Sequence, residues 1–396
     1  MPQPPGGPSP PERSSAGRPS GQRPRRRRRP PGAPRTRSAL VAALVTLLLV
    51  AAAATGTVVV DTAASVPGAR IEAERFLAQD VTPQGQVLRP DQGDDTVSEG
   101  QAYGLLLAEV AGKPAEVRRI WGWTQHHLQR PDGLLAWHAD RAGHVLDPMP
   151  ASDADVLAAW ALARSGQPPL VRQARRMAGA VLAHETVSRG RVLRLAAGPW
   201  ATGSPATLDP SYWAPVAFAT LARLSGDRRW IALERSARAD AITLTSGGSR
   251  LPPDWARLDG TAVSPTPAPN GSTPQVQYGL DAQRLVVWFA TSCDPTERAL
   301  AARWWRLLRV TGHLGLIALT PGGLPLSSAR NPLSYVAAAA AARAAGDTAT
   351  SAQLMAAART LQTQHPTYYG GAWLALGEAL LNGSSLGGCG AEGGPS

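Results

Sequence analysis

Cysteine is nearly absent from this chain, with two residues in 396, Cys293 and Cys389. Two cannot supply a four-thiolate zinc site. Outside a reducing compartment they can form one disulfide, which would tie the C-terminal tail (389–396) to the end of a late helix. Phe and Tyr are scarce as well, at 3 and 6 against 12 Trp. Trp is a demanding core residue because its N–H needs a partner. The skew hints at flat surfaces that stack on rings such as sugars; scattered core Trp is the plainer alternative. Alternating apolar and polar segments are few. Only "RVLRLAAG" (191–198) reads as a strand.

An excess of basic charge is also missing from most of the chain, despite a net +11. Residues 1–37 hold 10 Arg and one Glu, which is +9 and leaves +2 for everything after them. The tail, with "RPRRRRRP" (23–30), reads as a disordered, solvated, Arg/Pro-rich arm. It lacks the interleaved aromatics that stack on bases, so no nucleic acid is expected. Residues 38–60, "SALVAALVTLLLVAAAATGTVVV", lack any charge. About 20 such residues span a bilayer, and 23 exceeds a signal-peptide core of roughly 7–15. Arginines before it and Asp61 after it place the tail in the cytoplasm and the rest outside. We read a single-pass signal anchor in the cytoplasmic membrane, followed by a linker at 61–67. A cleaved signal, giving a secreted protein, is the alternative, since Ala52–Ala54 suit a peptidase.

From there on the periodicity is helical. Twelve segments repeat at about 3.6 residues and end in Gly or Ser-Gly: 67–80, 98–111, 113–129, 152–165, 168–187, 209–225, 227–246, 279–293, 295–311, 332–345, 347–364 and 370–382. They come as pairs joined by short turns such as "AGKP", "SGQP", "SGDR", "CDP" and "AGD". The segments at 98, 152, 209, 279, 332 and 370 are apolar nearly all round, as in "ADVLAAWALA" and "SYVAAAAAA". Such helices are buried. The alternating set is amphipathic, as in "ERALAARWWRLLRV". Six inner and six outer helices make an all-α (α/α)₆ barrel of six helical hairpins over 68–388.

The inner segments carry few charges, and most of their carboxylates sit at their starts. Glu99 follows Ser98, and Ser98-x-x-Gln101 reads as a capping box. Asp153 and Asp155 open the segment at 152. Asp209, Tyr212 and Trp213 open the one at 209, and Asp281 and Arg284 the one at 279. Each carboxylate alone fits a helix start, where free N–H groups and the dipole favour it. Parallel inner helices, however, bring all these starts to one mouth, together with Tyr103 and Trp137. Glycosidic hydrolysis needs such a groove: one protonated acid on the leaving oxygen and one carboxylate on water. Clustered carboxylates raise one another's pKa. His126, His127, His138 and His144 lack a ligand spacing and read as surface or groove residues, with His138 bordering the groove.

"SEGQAYG" (98–104), "ASDAD" (151–155) and "LDAQR" (280–284) resemble glycoside hydrolase family 8, and its bacterial cellulose-synthesis endoglucanases above all. "WGWTQHHL…DGLLAWHAD" (121–140), "DPSYWAP" (209–215) and "LPPDWARLDG" (251–260) match further segments in the same order, over roughly 68–383. The resemblance implies Glu99 as general acid, Asp281 as general base and Asp153 as the carboxylate holding the sugar at the cleavage point. It implies substrate contacts for Gln101, Tyr103, Trp137, Asp155, Tyr212, Trp213 and Asp254, and Arg284 orienting Asp281. It implies inversion at the anomeric carbon, no metal and no cofactor. Leu105 stands where Met is expected. Gly279-Leu280 precede Asp281 where a Ser-Tyr pair is familiar, with Tyr278 nearby. The expected activity is endo-hydrolysis of a β-1,4-glucan outside the membrane, with a polysaccharide-synthase complex as a candidate partner. A chitosanase or xylanase, or an inactive glycan-binding scaffold, are the alternatives.

Overall fold

A computed structural model describes residues 65–382 and residue 386. The basic tail, the apolar run at 38–60 and Cys389 lie outside the described residues. Among the described residues there are twelve α-helices: α1 (Ser65–Asp80), α2 (Ser98–Val110), α3 (Pro114–His127), α4 (Ser152–Arg164), α5 (Pro168–His184), α6 (Pro215–Ser225), α7 (Arg229–Leu244), α8 (Leu280–Ala290), α9 (Pro295–Thr311), α10 (Pro332–Ala344), α11 (Thr348–Gln364) and α12 (Tyr368–Leu381). None of them is long and apolar enough to cross a membrane. α1 begins inside the stretch read as linker.

Proline sets many of these starts. It occupies the first turn of α3, α5, α6, α9 and α10, where its missing N–H has no helical partner to lose. Side chains cap others: Asp294 accepts from Thr296 and Glu297 N–H, Asp347 from Thr350 and Thr367 from Gly370. The even-numbered helices close a ring in which each packs on the next, and α12 returns to α2. The odd-numbered helices pack outside that ring.

The centre of the ring is aromatic. Trp160 of α4, Trp288 of α8 and Trp373 of α12 meet in series, with centroids 6.2 and 5.4 Å apart, and Tyr103 of α2 packs on Trp373 at 5.6 Å. Edge-on pairs of this kind add about 0.5–1.5 kcal/mol each beyond their burial. Most of the Trp excess is therefore core: Trp160, Trp213, Trp230, Trp288, Trp304 and Trp373 are among the largest buried side chains. Trp137, Trp200 and Trp255 remain at least partly exposed.

The structure contains more strand than the sequence reading allowed. The short strands are β1 (Thr96–Val97), β2 (His138–Ala139), β3 (Val145–Asp147), β4 (Thr186–Arg189), β5 (Val192–Leu195), β6 (Ala206–Leu208), β7 (Trp255–Asp259) and β8 (Ala262–Thr266). They form antiparallel sheets β1-β2-β3, β4-β5 and β6-β7-β8. All lie in loops that feed the starts of inner helices. At two to five residues they are too short for alternation to register. The helix expected from 209 starts at Pro215 instead. Pro215 cannot extend a helix begun earlier and disfavours helical backbone at Ala214. Residues 210–212 form a separate 3₁₀ turn capped by Asp209. Cys293, between α8 and α9, is disulfide-bonded.

Candidate active site

Three inner-helix starts and the turn before a fourth meet at one guanidinium. Arg284, in the first turns of α8, is 2% exposed. Its Nη1 donates to Glu99 Oε2 at 2.6 Å, Asp153 Oδ2 at 2.9 Å and Tyr103 Oη at 3.2 Å. Its Nη2 donates to Ser211 Oγ at 2.7 Å and Asp281 Oδ1 at 3.1 Å. Its charge also lies 5.4 Å from the centre of the Tyr212 ring. The parallel inner helices expected from the hairpin pattern thus do bring α2, α4, α8 and the turn before α6 together. Bonded to one guanidinium, Glu99 Oε2 and Asp281 Oδ1 can be no more than about 8 Å apart, which admits the inverting spacing of roughly 6.5–9.5 Å.

The charges do not balance locally, since one cation faces three carboxyls. Burial raises the Glu99 pKa most; Arg284 opposes this, and Asp153 and Asp281 add to it, for a result of about 7. The helix-start dipole, which favours the anion, is outweighed. Burial also raises Asp281, with Arg284 opposing and Asp153 adding. The two differ in access: the Asp281 side chain is 36% exposed, Glu99 23% and Asp153 5%. The site thus holds a carboxyl that keeps its proton near neutrality beside a more open one that can meet water.

Several expected sugar contacts turn out to lie beneath the groove. Gln101 is fully buried; its side chain accepts from Val87 N–H and donates to Gly85 O and Thr124 Oγ1. It is thereby spent on the 85–87 loop, and the capping box does not form: Val97 is the N-cap of α2, without a side-chain bond. Tyr103 is also fully buried and accepts from Trp373 Nε1 at 3.2 Å. Trp213 is 2% exposed. Asp155 is buried and accepts from Leu135 N–H at 2.9 Å, holding the loop that leads to Trp137. Asp254 is buried and accepts from Gly279 and Ala282 N–H at 2.7 and 2.9 Å, so it caps the helix that carries Asp281. Only Trp137 and Tyr212 of the expected aromatics are part-exposed. Asp209 accepts from Ser211 N–H and Oγ, and so supports Arg284 through Ser211.

Two close approaches explain glycines in the motifs. A Cβ on Gly100 would sit 2.4 Å from Tyr368 Oη, and one on Gly279 would sit 2.2 Å from Asp254 Oδ2. His126 and His127 pack edge to face, and His127 stacks on Trp123. Among the described residues no three of His, Cys, Asp and Glu are grouped to hold a metal ion.

Residues 37–378 match the family Glycosyl hydrolases family 8. The chain belongs to that family. Its membership makes the protein a glycoside hydrolase. A probable endoglucanase of Novacetimonas hansenii is 30% identical over 261 residues, covering 62% of this chain and 75% of that protein. The solved endo-β-1,4-glucanase CMCax from Acetobacter xylinum superposes with a TM-score of 0.64 at 26% identity, covering 78% of this chain and 96% of that one. A β-1,3-1,4-glucanase from Paenibacillus sp. X4 shares the fold, with a TM-score of 0.71 at 16% identity and coverage of 81% and 92%.

The candidate site also contains residues that the sequence pattern did not single out. Tyr369 opens α12 and is part-buried. Burial raises its pKa most, Arg284 opposes, and Tyr103, Glu99 and Asp281 add, which marks it as a neighbour of the carboxyl cluster. The convergence of all six inner starts was the available signal, and "TYYGG" (367–371) begins the sixth. Ser211, in the turn before α6, is a second such residue, as a partner of Arg284. Near Asp281, Tyr278 is 2% exposed and so offers no ring to the groove.

Proposed function

We propose that this family-8 chain is an inverting, endo-acting hydrolase of a β-1,4-linked glucan. The observation that carries the reading is the single Arg284 guanidinium bonded to Glu99, Asp153 and Asp281. Glu99 donates its proton to the glycosidic oxygen as the bond from that oxygen to the anomeric carbon breaks. Asp281 takes a proton from a water whose oxygen forms the new bond on the opposite face. Asp153 holds the ring at the cleavage point. Trp137 and Tyr212 give it flat surfaces, and Arg284 keeps Asp281 and Glu99 in place. The N. hansenii and A. xylinum likenesses support a glucan over chitosan or xylan. A catalytically inactive scaffold is disfavoured because acid and base candidates both line the site.

Residues 38–60 anchor the enzyme in the cytoplasmic membrane with the catalytic domain outside, beside a polysaccharide synthase. The uncharged run and the arginines before it support this topology. Protease added to intact cells should remove the domain and spare an N-terminal tag.

The test of activity is product analysis on carboxymethylcellulose, chitosan, xylan and mixed-linkage glucan, with the anomer followed by NMR. The expected result is rapid loss of viscosity in carboxymethylcellulose with the α-anomer appearing first. First appearance of the β-anomer would overturn the roles of Glu99 and Asp281. Turnover of xylan or chitosan alone would overturn the substrate.

A further inference from the structure

The acid and the sugar platform are joined by a very short ladder. Ser98 N–H, next to Glu99, donates to Trp137 O at 2.8 Å, and β1 pairs with β2 as Thr96↔Ala139 and Val97↔His138. Two residue pairs specify register weakly. Side chains across the ladder do more. His138 Nε2 donates to Asp95 Oδ2 at 2.7 Å. Arg89 grips the same carboxylate with Nε at 2.7 Å and Nη2 at 2.8 Å. All three side chains are mostly buried, at 21%, 16% and 18% exposure for His138, Asp95 and Arg89. A two-pronged guanidinium–carboxylate pair fixes direction as well as distance.

The far end of this chain of contacts is Trp137. The His138 ring stacks on it with centroids 4.8 Å apart and planes at 30°. Asp147 lies beside the indole, and the Trp137 side chain is the largest cause of that carboxyl's lowered pKa. Trp137 is thus held by its ring face. We propose that Arg89, Asp95 and His138 form a positioning clamp that sets the plane of Trp137 relative to Glu99 and tunes sugar binding, not the chemical step. None of the three needs to touch sugar. The inference rests on reading Trp137 as a sugar-contacting aromatic.

The test uses the full chain in three backgrounds. Glu99→Gln, which binds without turnover, is titrated calorimetrically with cellohexaose. The active enzyme supplies kcat and KM on carboxymethylcellulose. Asp95→Asn and His138→Phe should weaken binding and raise KM by about three- to tenfold, with kcat changed less than about twofold. His138→Gln, which keeps a donor to Asp95 but loses the ring, should also weaken binding, so the result does not hang on one variant folding. In a Trp137→Ala background, Asp95→Asn should have no further effect. Equal weakening in both backgrounds would overturn the clamp, as would a fall in kcat at constant KM. If Trp137→Ala itself binds cellohexaose normally, the platform reading fails first and takes the clamp with it.

Discussion

Arg284 Nη1 donates to Glu99 Oε2 at 2.6 Å across a separation of 185 residues. The pairing places the acid candidate and the base candidate on one rigid, planar cation. It also makes Glu99 answer to several charges at once, so the site's behaviour with pH can be worked out.

Glu99 in the fold titrates near 7, above its ordinary 4.5. The folded state therefore holds a proton that the unfolded chain releases between those values. The associated stability is fully present below about pH 4.5 and is lost as pH rises through 7. Activity needs that proton too, so kcat should fall above about pH 7. Glu99→Gln removes the titration. It should lower kcat by at least about 10²-fold, yet raise the melting temperature more at pH 8 than at pH 5. A pH-independent difference in melting temperature would contradict the raised pKa.

Arg284→Met leaves Glu99, Asp153 and Asp281 without their cation. Removing one partner of a buried ion pair costs about 3–5 kcal/mol. Urea unfolding at pH 8 should show a loss of that order, and a smaller one at pH 5, where carboxyls can neutralise. Arg284→Lys should not restore activity, because a point charge cannot reach Glu99, Asp281 and Ser211 together.

Gly279→Ala places a Cβ 2.2 Å from Asp254 Oδ2. Either the cap or the start of α8 must move. We expect a stability loss of about 1–3 kcal/mol and a larger fall in kcat than in binding, since Asp281 rides on that turn. Calorimetric binding beside steady-state kinetics checks the split.

The two kinds of Trp should separate cleanly. Trp288→Ala opens a cavity at the barrel centre and should cost about 3–5 kcal/mol. Trp137→Ala, at the partly exposed site, should leave the urea midpoint nearly unchanged and raise KM. Equal destabilisation by both would refute the division between core and groove.

The helical plan was legible because it rests on local chemistry. Twelve segments with 3.6 periodicity, proline starts and glycine ends fall within a few residues of the observed helices, apart from the one expected at 209. Pro215 was the visible warning there. The small strands were not legible, because a two-residue strand such as β1 is defined by its partner at 138–139 and not by its own pattern.

Within the site, sequence alone set which residue types stand at the inner-helix starts: Glu99, Asp153, Asp281 and Arg284 are recognisable there because a buried helix carries few charges. Tertiary structure alone decided which of the remaining polar and aromatic residues face the groove. Gln101, Tyr103, Asp155, Trp213 and Asp254 share the motifs of the catalytic candidates but are turned inward to backbone N–H groups, hydroxyls and packing. The physical reason is that a buried donor or acceptor must be satisfied. Which one it meets depends on a loop distant in sequence, as Leu135 is 20 residues from Asp155.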